Sequence, residues 1–277
     1  MNEVSSSQSN PAAATLLLEA NVETPILVAL PHGTAAALSI PHPTRGTVNQ
    51  DAAAILPAGP SDVLLVVTDG MGGTRRGGEA AATVIHHLSE RLPVESQGLL
   101  VRTAILNGIE SANQHLLANV PDAGTTLAAV EINENSIRPY HVGDSVILVT
   151  GQRGKLKLQT VAHSPVGFAV EAGLLDEDEA LHHHERHLVL NAIGSAAMRI
   201  ELGAPLALAR YDTVLLASDG LTDNLTLDEI IALLCKGPLD QAVARLAALA
   251  RARMLAHEPG APCKPDDLTI LAYRRSA

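Results

Sequence analysis

The sequence predicts an α+β fold in which helices cover antiparallel sheets, and three observations carry that reading. Strand-like and helix-like segments come in blocks, strands then helices then strands again, and not in strict alternation. The turn formers Asn133-Glu134-Asn135 and Gly143-Asp144 separate β-prone runs by only a few residues, which reads as an antiparallel meander. Two long segments carry apolar residues three and four apart, the mark of helices with one face on a sheet.

Residues 35–40 and 52–56 are short β-like runs, and 62–68 contains five consecutive aliphatics, Val63 to Val67, as expected of a strand buried on both faces. A helix is expected over 79–91, after a Gly-rich turn, and a second over 97–119. The second places Val101, Ala104, Ile105, Gly108, Ile109, Ala112 and Leu116 on one stripe, where Gly108 lets a neighbour approach closely. Segments 125–132, 136–142 and 145–150 form the meander, with Asp144 as a hairpin residue. A strand at 213–218, helices at 227–235 and 239–257, and a last strand at 268–273 complete the order. Residues 1–12 read as a disordered lead-in, and 13–277 as one domain, because no linker or composition break divides it.

At 277 residues and 47% hydrophobic composition the chain can bury a core, which excludes wholesale disorder. Nineteen Lys and Arg against thirty Asp and Glu give a net charge of −11 with no basic stripe, so a nucleic-acid partner is not expected. Three Tyr, one Phe and no Trp exclude stacking platforms for single-stranded nucleic acid. No run of about 18 apolar residues would cross a membrane. Cys235 and Cys263 make no disulfide framework, and the expected location is the cytoplasm.

The excess of carboxylates has a pattern. Asp69-Gly70 follows the apolar run Val63 to Val67 at an expected sharp turn, and Asp219-Gly220 repeats the arrangement after the 213–218 strand. Asp51 immediately precedes one expected strand, and Asp266-Asp267 another. Taken singly, an Asp-Gly after a strand is a common turn. If the four strand termini converge, however, carboxylates within about 4–6 Å of one another require cations to remain ionised, and hard oxygen ligands select Mg²⁺ or Mn²⁺.

Eight motifs in order resemble the metal-dependent type 2C (PPM) Ser/Thr protein phosphatases of bacterial type, from Arg45 to Arg274. They are Asn49-Gln50-Asp51, Thr68-Asp69-Gly70-Met71-Gly72-Gly73, Gly124-Thr125-Thr126, His141-Val142-Gly143-Asp144-Ser145, His163-Ser164, Ala172-Gly173 leading to Ala192-Ile193-Gly194, Ala217-Ser218-Asp219-Gly220-Leu221-Thr222-Asp223, and Asp266-Asp267-Leu268-Thr269. The resemblance implies two antiparallel sheets flanked by helices in α-β-β-α layers. It also implies hydrolysis of phosphoserine or phosphothreonine by direct attack of a water bridging two Mn²⁺ or Mg²⁺ ions.

Residue by residue, it makes Asp69 the bridging ligand, with the Gly70 carbonyl on the second metal and Asp219 and Asp266 on the first. Asp51 binds metal or metal water, Asp122 stands where a third metal is held in some bacterial members, and Arg45 binds the substrate phosphate. The implied partner is a phosphoprotein, opposing a cytoplasmic Ser/Thr kinase.

The chain departs from the family at several positions. Met71 replaces the His proposed as general acid in eukaryotic members, Arg45 lies one residue farther from Asp51 than usual, and Asp267 stands where an Asn is usual. The alternative class is a catalytically weak or inactive phosphatase-fold binding module, against which retention of Asp69, Asp219 and Asp266 argues. His182, His183, His184 and His187 are read as solvated histidines rather than a zinc or nickel cluster, and 176–179 as the first turn of a short helix rather than a cation site.

Overall fold

A computed structural model describes residues 13–46, 48–71, 75–95, 101–256 and 262–276. The expected lead-in over 1–12, the first residues of the helix expected from 97, His257, Gly72 and Gly73 lie outside the described residues. The chain opens with β1 (Thr15–Leu18), β2 (Val22–Leu30), β3 (Gly33–Ile40), β4 (Asp51–Pro57) and β5 (Val63–Met71). Helices α1 (Arg75–Glu95) and α2 (Val101–Asn119) follow, then β6 (Gly124–Thr125), β7 (Leu127–Ile132), β8 (Ser136–Val142), β9 (Val146–Thr150) and β10 (Leu156–Gln159). Next come the short helices α3 (Pro165–Glu171) and α4 (Glu177–Leu181), with β11 (Glu201–Leu202) and β12 (Leu206–Ala207). The chain closes with β13 (Thr213–Ala217), the one-turn helix α5 (Asp219–Thr222), α6 (Leu227–Leu234), α7 (Leu239–Leu255) and β14 (Leu268–Arg275).

Two antiparallel sheets form the centre. The first runs β1-β4-β5-β7-β8-β11, with β6 against β5 and β12 against β8, and the second runs β10-β9-β13-β14-β3-β2. Alternation sets the layers, because successive side chains of a strand point to opposite faces. On β5, Leu65 and Val67 join the core between the sheets while Leu64 and Val66 face α1 and α2. On β13, Val214 and Leu216 face the first sheet and Leu215 and Ala217 face α6 and α7. The result is α-β-β-α, with three apolar layers in which each fully buried Leu or Ile contributes roughly 1.5–3 kcal/mol. Gly108 does what its stripe predicted: a Cβ there would lie 2.9 Å from Leu88 Cδ2 on α1.

Three differences from the sequence reading stand out. First, β8 and β9 do not form a hairpin. Gly143, Asp144 and Ser145 carry the chain from one sheet to the other, and β9 pairs with β10 and β13. Second, the expected 125–132 strand is interrupted at Thr126, with β6 and β7 pairing separately along β5. Third, β1 and β2 carry no expectation from the sequence. Both are edge strands, and the register of β2 shifts between Val22 and Ile26, around Pro25, which an edge tolerates because Pro has no N–H to offer. The short helix after residue 176 is α4, opened by Asp176 and Glu179 in a reciprocal capping box.

Candidate metal centre

The acidic residues meet where both sheets end. Asp51, first residue of β4, lies directly opposite Asp69 near the end of β5. The second sheet is tied to them through Ser218, which follows β13. Its hydroxyl donates to Asp51 Oδ2 at 2.7 Å and accepts the Thr269 N–H from β14 at 3.0 Å. Asp219, next in the chain, opens α5, and Asp266-Asp267 sit just before β14. Asp144 arrives from the crossing between sheets, where Gly143 adopts φ +98°, a left-handed conformation suited to glycine.

Both Asp-Gly pairs have a steric cause other than the expected sharp turn. A Cβ on Gly70 would lie 2.1 Å from the Gly77 carbonyl oxygen, and one on Gly220 would lie 1.9 Å from the Asp267 carbonyl oxygen. Neither glycine has positive φ. Each is required because another backbone passes against it.

A cavity of about 490 Å³ results, lined by Asp69, Gly70, Asp144, Asp219, Asp266 and Asp267, with His42, Arg45, Met71 and Lys264 among the other walls. Asp51 is buried behind the wall. Burial holds the Asp69 pKa well above the ordinary carboxylate range, and the charges of Asp51, Asp219, Asp144 and Asp266 push it further. Asp51 is raised likewise, by burial and then by Asp267, against hydrogen bonds from Ser218 and Thr269. Burial and then Asp219 raise Asp266, and burial with Asp219 and Asp223 pushes Asp144 up to about 7. These carboxylates lack positive charge.

Lys264 supplies part of it. Its Nζ lies 2.5 Å from Asp219, 2.7 Å from Asp223 and 3.4 Å from Asp266. Burial alone would lower the ammonium pKa, but Asp219 and Asp223 outweigh it and hold the group charged. The backbone under it is fixed as well: the amide of buried Asn224 accepts the Lys264 N–H and donates to its carbonyl, both at 2.9 Å.

On the opposite wall, the Asp267 carboxylate takes the His42 N–H at 2.6 Å and the Gln50 N–H at 2.8 Å. His42 Nδ1 in turn accepts the Arg45 N–H at 3.1 Å, leaving the exposed Arg45 side chain at the rim. Asp69 is held from behind, its N–H donating to Thr126 Oγ1 at 3.0 Å and its carbonyl accepting from Thr125 Oγ1 at 2.9 Å.

Comparison with known proteins agrees with this geometry. Residues 41–257 match the Protein phosphatase 2C family. Protein phosphatase PhpP of Streptococcus pneumoniae is 30% identical over 177 residues, covering 60% of this chain and 70% of that protein. The serine/threonine phosphatase of S. agalactiae superposes with a TM-score of 0.75 at 30% identity, over 88% of this chain and 99% of that one. The catalytic domain of the phosphatase PstP, solved with two manganese ions, gives 0.69 at 26% identity over 88% and 98%. The chain belongs to the protein phosphatase 2C family. It is a serine/threonine phosphoprotein phosphatase, and the family is metal-dependent.

The donor set here fits that dependence. It consists of carboxylate and carbonyl oxygens, the ligands hard divalent cations take, and burial has left Asp51 and Asp69 short of positive charge. Of the residues expected from the type 2C motifs, the fold brings together Asp51, Asp69, Gly70, Asp219, Asp266 and Arg45. It does not bring Asp122 to them: that residue is exposed in the turn before β6, at φ +62°, outside the cavity lining. His182, His183, His184 and His187 form no ligand cluster among the described residues, although His187 reaches the cavity wall.

Sequence reasoning left Lys264, Asp223 and Ser218 without roles. It also missed the trio His141, His163 and Glu201, whose ligand atoms lie within 4.8 Å of one another. There His163 Nδ1 accepts N–H bonds from Gly143 and Asn191, so Nε2 carries the proton it donates to Glu201 at 2.8 Å. A protonated Nε2 offers a cation nothing. The trio instead anchors the turn that presents Asp144, and both histidines stand in motifs quoted above.

Proposed function

We propose that Asp51, Asp69, Asp219 and Asp266, with the Gly70 carbonyl, hold two divalent cations, Mn²⁺ or Mg²⁺. The cavity they line then receives the phosphate of a phosphoserine or phosphothreonine on a protein. The observation that carries this reading is the meeting of carboxylates from both sheets, Asp51 opposite Asp69 on one and Asp219 beside Asp266 on the other, at one open cavity. When bound, the cations would supply a water acidified to a nucleophile near neutral pH and neutralise the phosphoryl oxygens.

The chain's own residues orient the rest. Arg45 at the rim offers a planar fork of donors to the phosphate, and His42 and Asp267 fix the backbone that carries it. Ser218 and Thr126 fix the carboxylate ends of their strands. Met71, at the cavity wall, has no proton to give the leaving serine or threonine oxygen, so that position is not the general acid. Asp122 would offer a third ion only an exposed carboxylate, a weak site for a hard cation. The enzyme would oppose a cytoplasmic Ser/Thr kinase, in keeping with free Cys235 and Cys263.

The test is hydrolysis of p-nitrophenyl phosphate and a phosphothreonine peptide with Mn²⁺, Mg²⁺ or EDTA, alongside Asp69→Asn and Asp219→Asn. Turnover should require metal and be lost in both variants. Turnover that survives EDTA or both substitutions would overturn the reading.

A further inference from the structure

A second cavity, of about 550 Å³, adjoins the acidic one, and Asp144 and Asp219 belong to the walls of both. It lies between the second sheet, the short helices α3 and α4, and the start of α6. Its floor is aliphatic, formed by Val146, Leu148, Val166, Val170, Leu225 and Ile230. Its charged groups are acidic with one exception, and they stand beside the neutral polar side chains of Gln159, Thr160, Ser164, Thr222 and Thr226. Asp144 stands at the end shared with the metal centre beside Asp219 and Asp223, which already share the Lys264 ammonium, so the rim charge is carried mainly by exposed Glu171, Glu177 and Asp228 on the outer walls. The one basic side chain among the described lining residues, Arg186, is already directed at backbone, donating to the Leu181 and Cys263 carbonyls.

An aliphatic floor under a carboxylate rim suits a side chain with a long apolar stem and a cationic head. A purely apolar side chain would leave the rim unused, and an acidic one would be repelled by it. Because this cavity meets the phosphate cavity at Asp144 and Asp219, its occupant lies close in sequence to the phosphorylated residue. We propose that the second cavity is a specificity subsite that receives an arginine or lysine side chain of the phosphoprotein substrate, a few residues from the phosphoserine or phosphothreonine. This deepens the phosphatase reading above and rests on it.

The test is a scan of kcat/KM over phosphothreonine peptides in which one arginine is moved through each flanking position of an otherwise alanine scaffold, with glutamate at the same positions for comparison. At one position or two neighbouring ones, arginine should raise kcat/KM about tenfold over alanine, and glutamate should lower it. The arginine preference should fall towards unity in Val170→Trp, which fills the floor, and in Glu171→Lys/Glu177→Lys, which reverses exposed rim charges and leaves the core intact. A flat scan, a preference for acidic or apolar neighbours, or an arginine preference that survives both variants would overturn the proposal. Turnover of p-nitrophenyl phosphate, which has no side chain to place in the subsite, reports on the phosphatase reading separately. A flat scan with that turnover present defeats the subsite alone, whereas absence of all turnover defeats the reading beneath it.

Discussion

Replacing Lys264 by Met removes the ammonium and keeps most of the stem. In the metal-free protein three carboxylates then lose their shared counter-ion, at 2.5 Å from Asp219, 2.7 Å from Asp223 and 3.4 Å from Asp266. Removing one partner of a buried ion pair costs about 3–5 kcal/mol. Lys264 is 24% exposed and the Asp266 side chain 35%, so water screens part of the loss and about 2–3 kcal/mol is the expected cost. That corresponds to a fall in Tm of roughly 5–10 °C for a chain of this size.

Metal binding should move the other way. A cation drawing on Asp219 and Asp266 must share them with Lys264 in the wild type and has them to itself in the variant, so Mn²⁺ should bind about tenfold tighter or more. Thermal unfolding in EDTA and isothermal titration with Mn²⁺ measure the two effects. A variant as stable as wild type without metal, or one that binds Mn²⁺ no more tightly, would refute the argument that Lys264 competes for these carboxylates.

Four further outcomes follow from the same geometry. In EDTA, stability should fall as pH rises from about 4 to about 7, because burial and then Asp219 push Asp144 up to about 7 and Asp223 up to about 6 in the folded state. The unfolded chain releases those protons first, so the folded state binds more of them in that window. Urea titrations should show stability falling steadily across that window, and Mn²⁺ should flatten the profile. Gly220→Ala, whose Cβ would meet the Asp267 carbonyl oxygen at 1.9 Å, should weaken Mn²⁺ affinity at least about tenfold in the same titration. Gly78→Ala, with nothing nearer than 3.6 Å inside α1, should instead gain about 0.5–1 kcal/mol in urea unfolding. Asp267→Ala frees the His42 and Gln50 N–H groups, so the KM for a phosphothreonine peptide should rise several-fold while bound Mn²⁺ stays near the wild-type amount.

How much of this was legible in the sequence depended on whether the deciding contact was local. The strand β5 was legible because Val63 to Val67 can be buried on both faces only in the middle of a sandwich, and α2 because its stripe and Gly108 anticipate packing on Leu88. The edge strands β1 and β2 were not, since an edge half open to water needs no alternation, and Pro25 argues against a strand. Gly143-Asp144 reads as a hairpin because a sheet crossing uses the same turn residues. Only the pairing of β9 with β13, far along the chain, separates the two.

At the site, Asp51, Asp69, Asp219 and Asp266 were visible as strand-terminal acids, but no spacing says that their strands meet. The type 2C motifs supplied that step. Lys264 was invisible, because Lys264-Pro265-Asp266-Asp267 carries no local sign that Nζ reaches Asp219, 45 residues earlier.

The most direct test of the convergent carboxylate centre is the number of Mn²⁺ ions bound per chain, measured by calorimetry on the full chain and on folded Asp69→Asn and Asp219→Asn variants. The wild type should bind two ions, Asp69→Asn should lose tight binding at both sites, and Asp219→Asn should lose it at one. Binding of fewer than two ions by the wild type, or the same stoichiometry and affinity in all three proteins, would contradict such a centre.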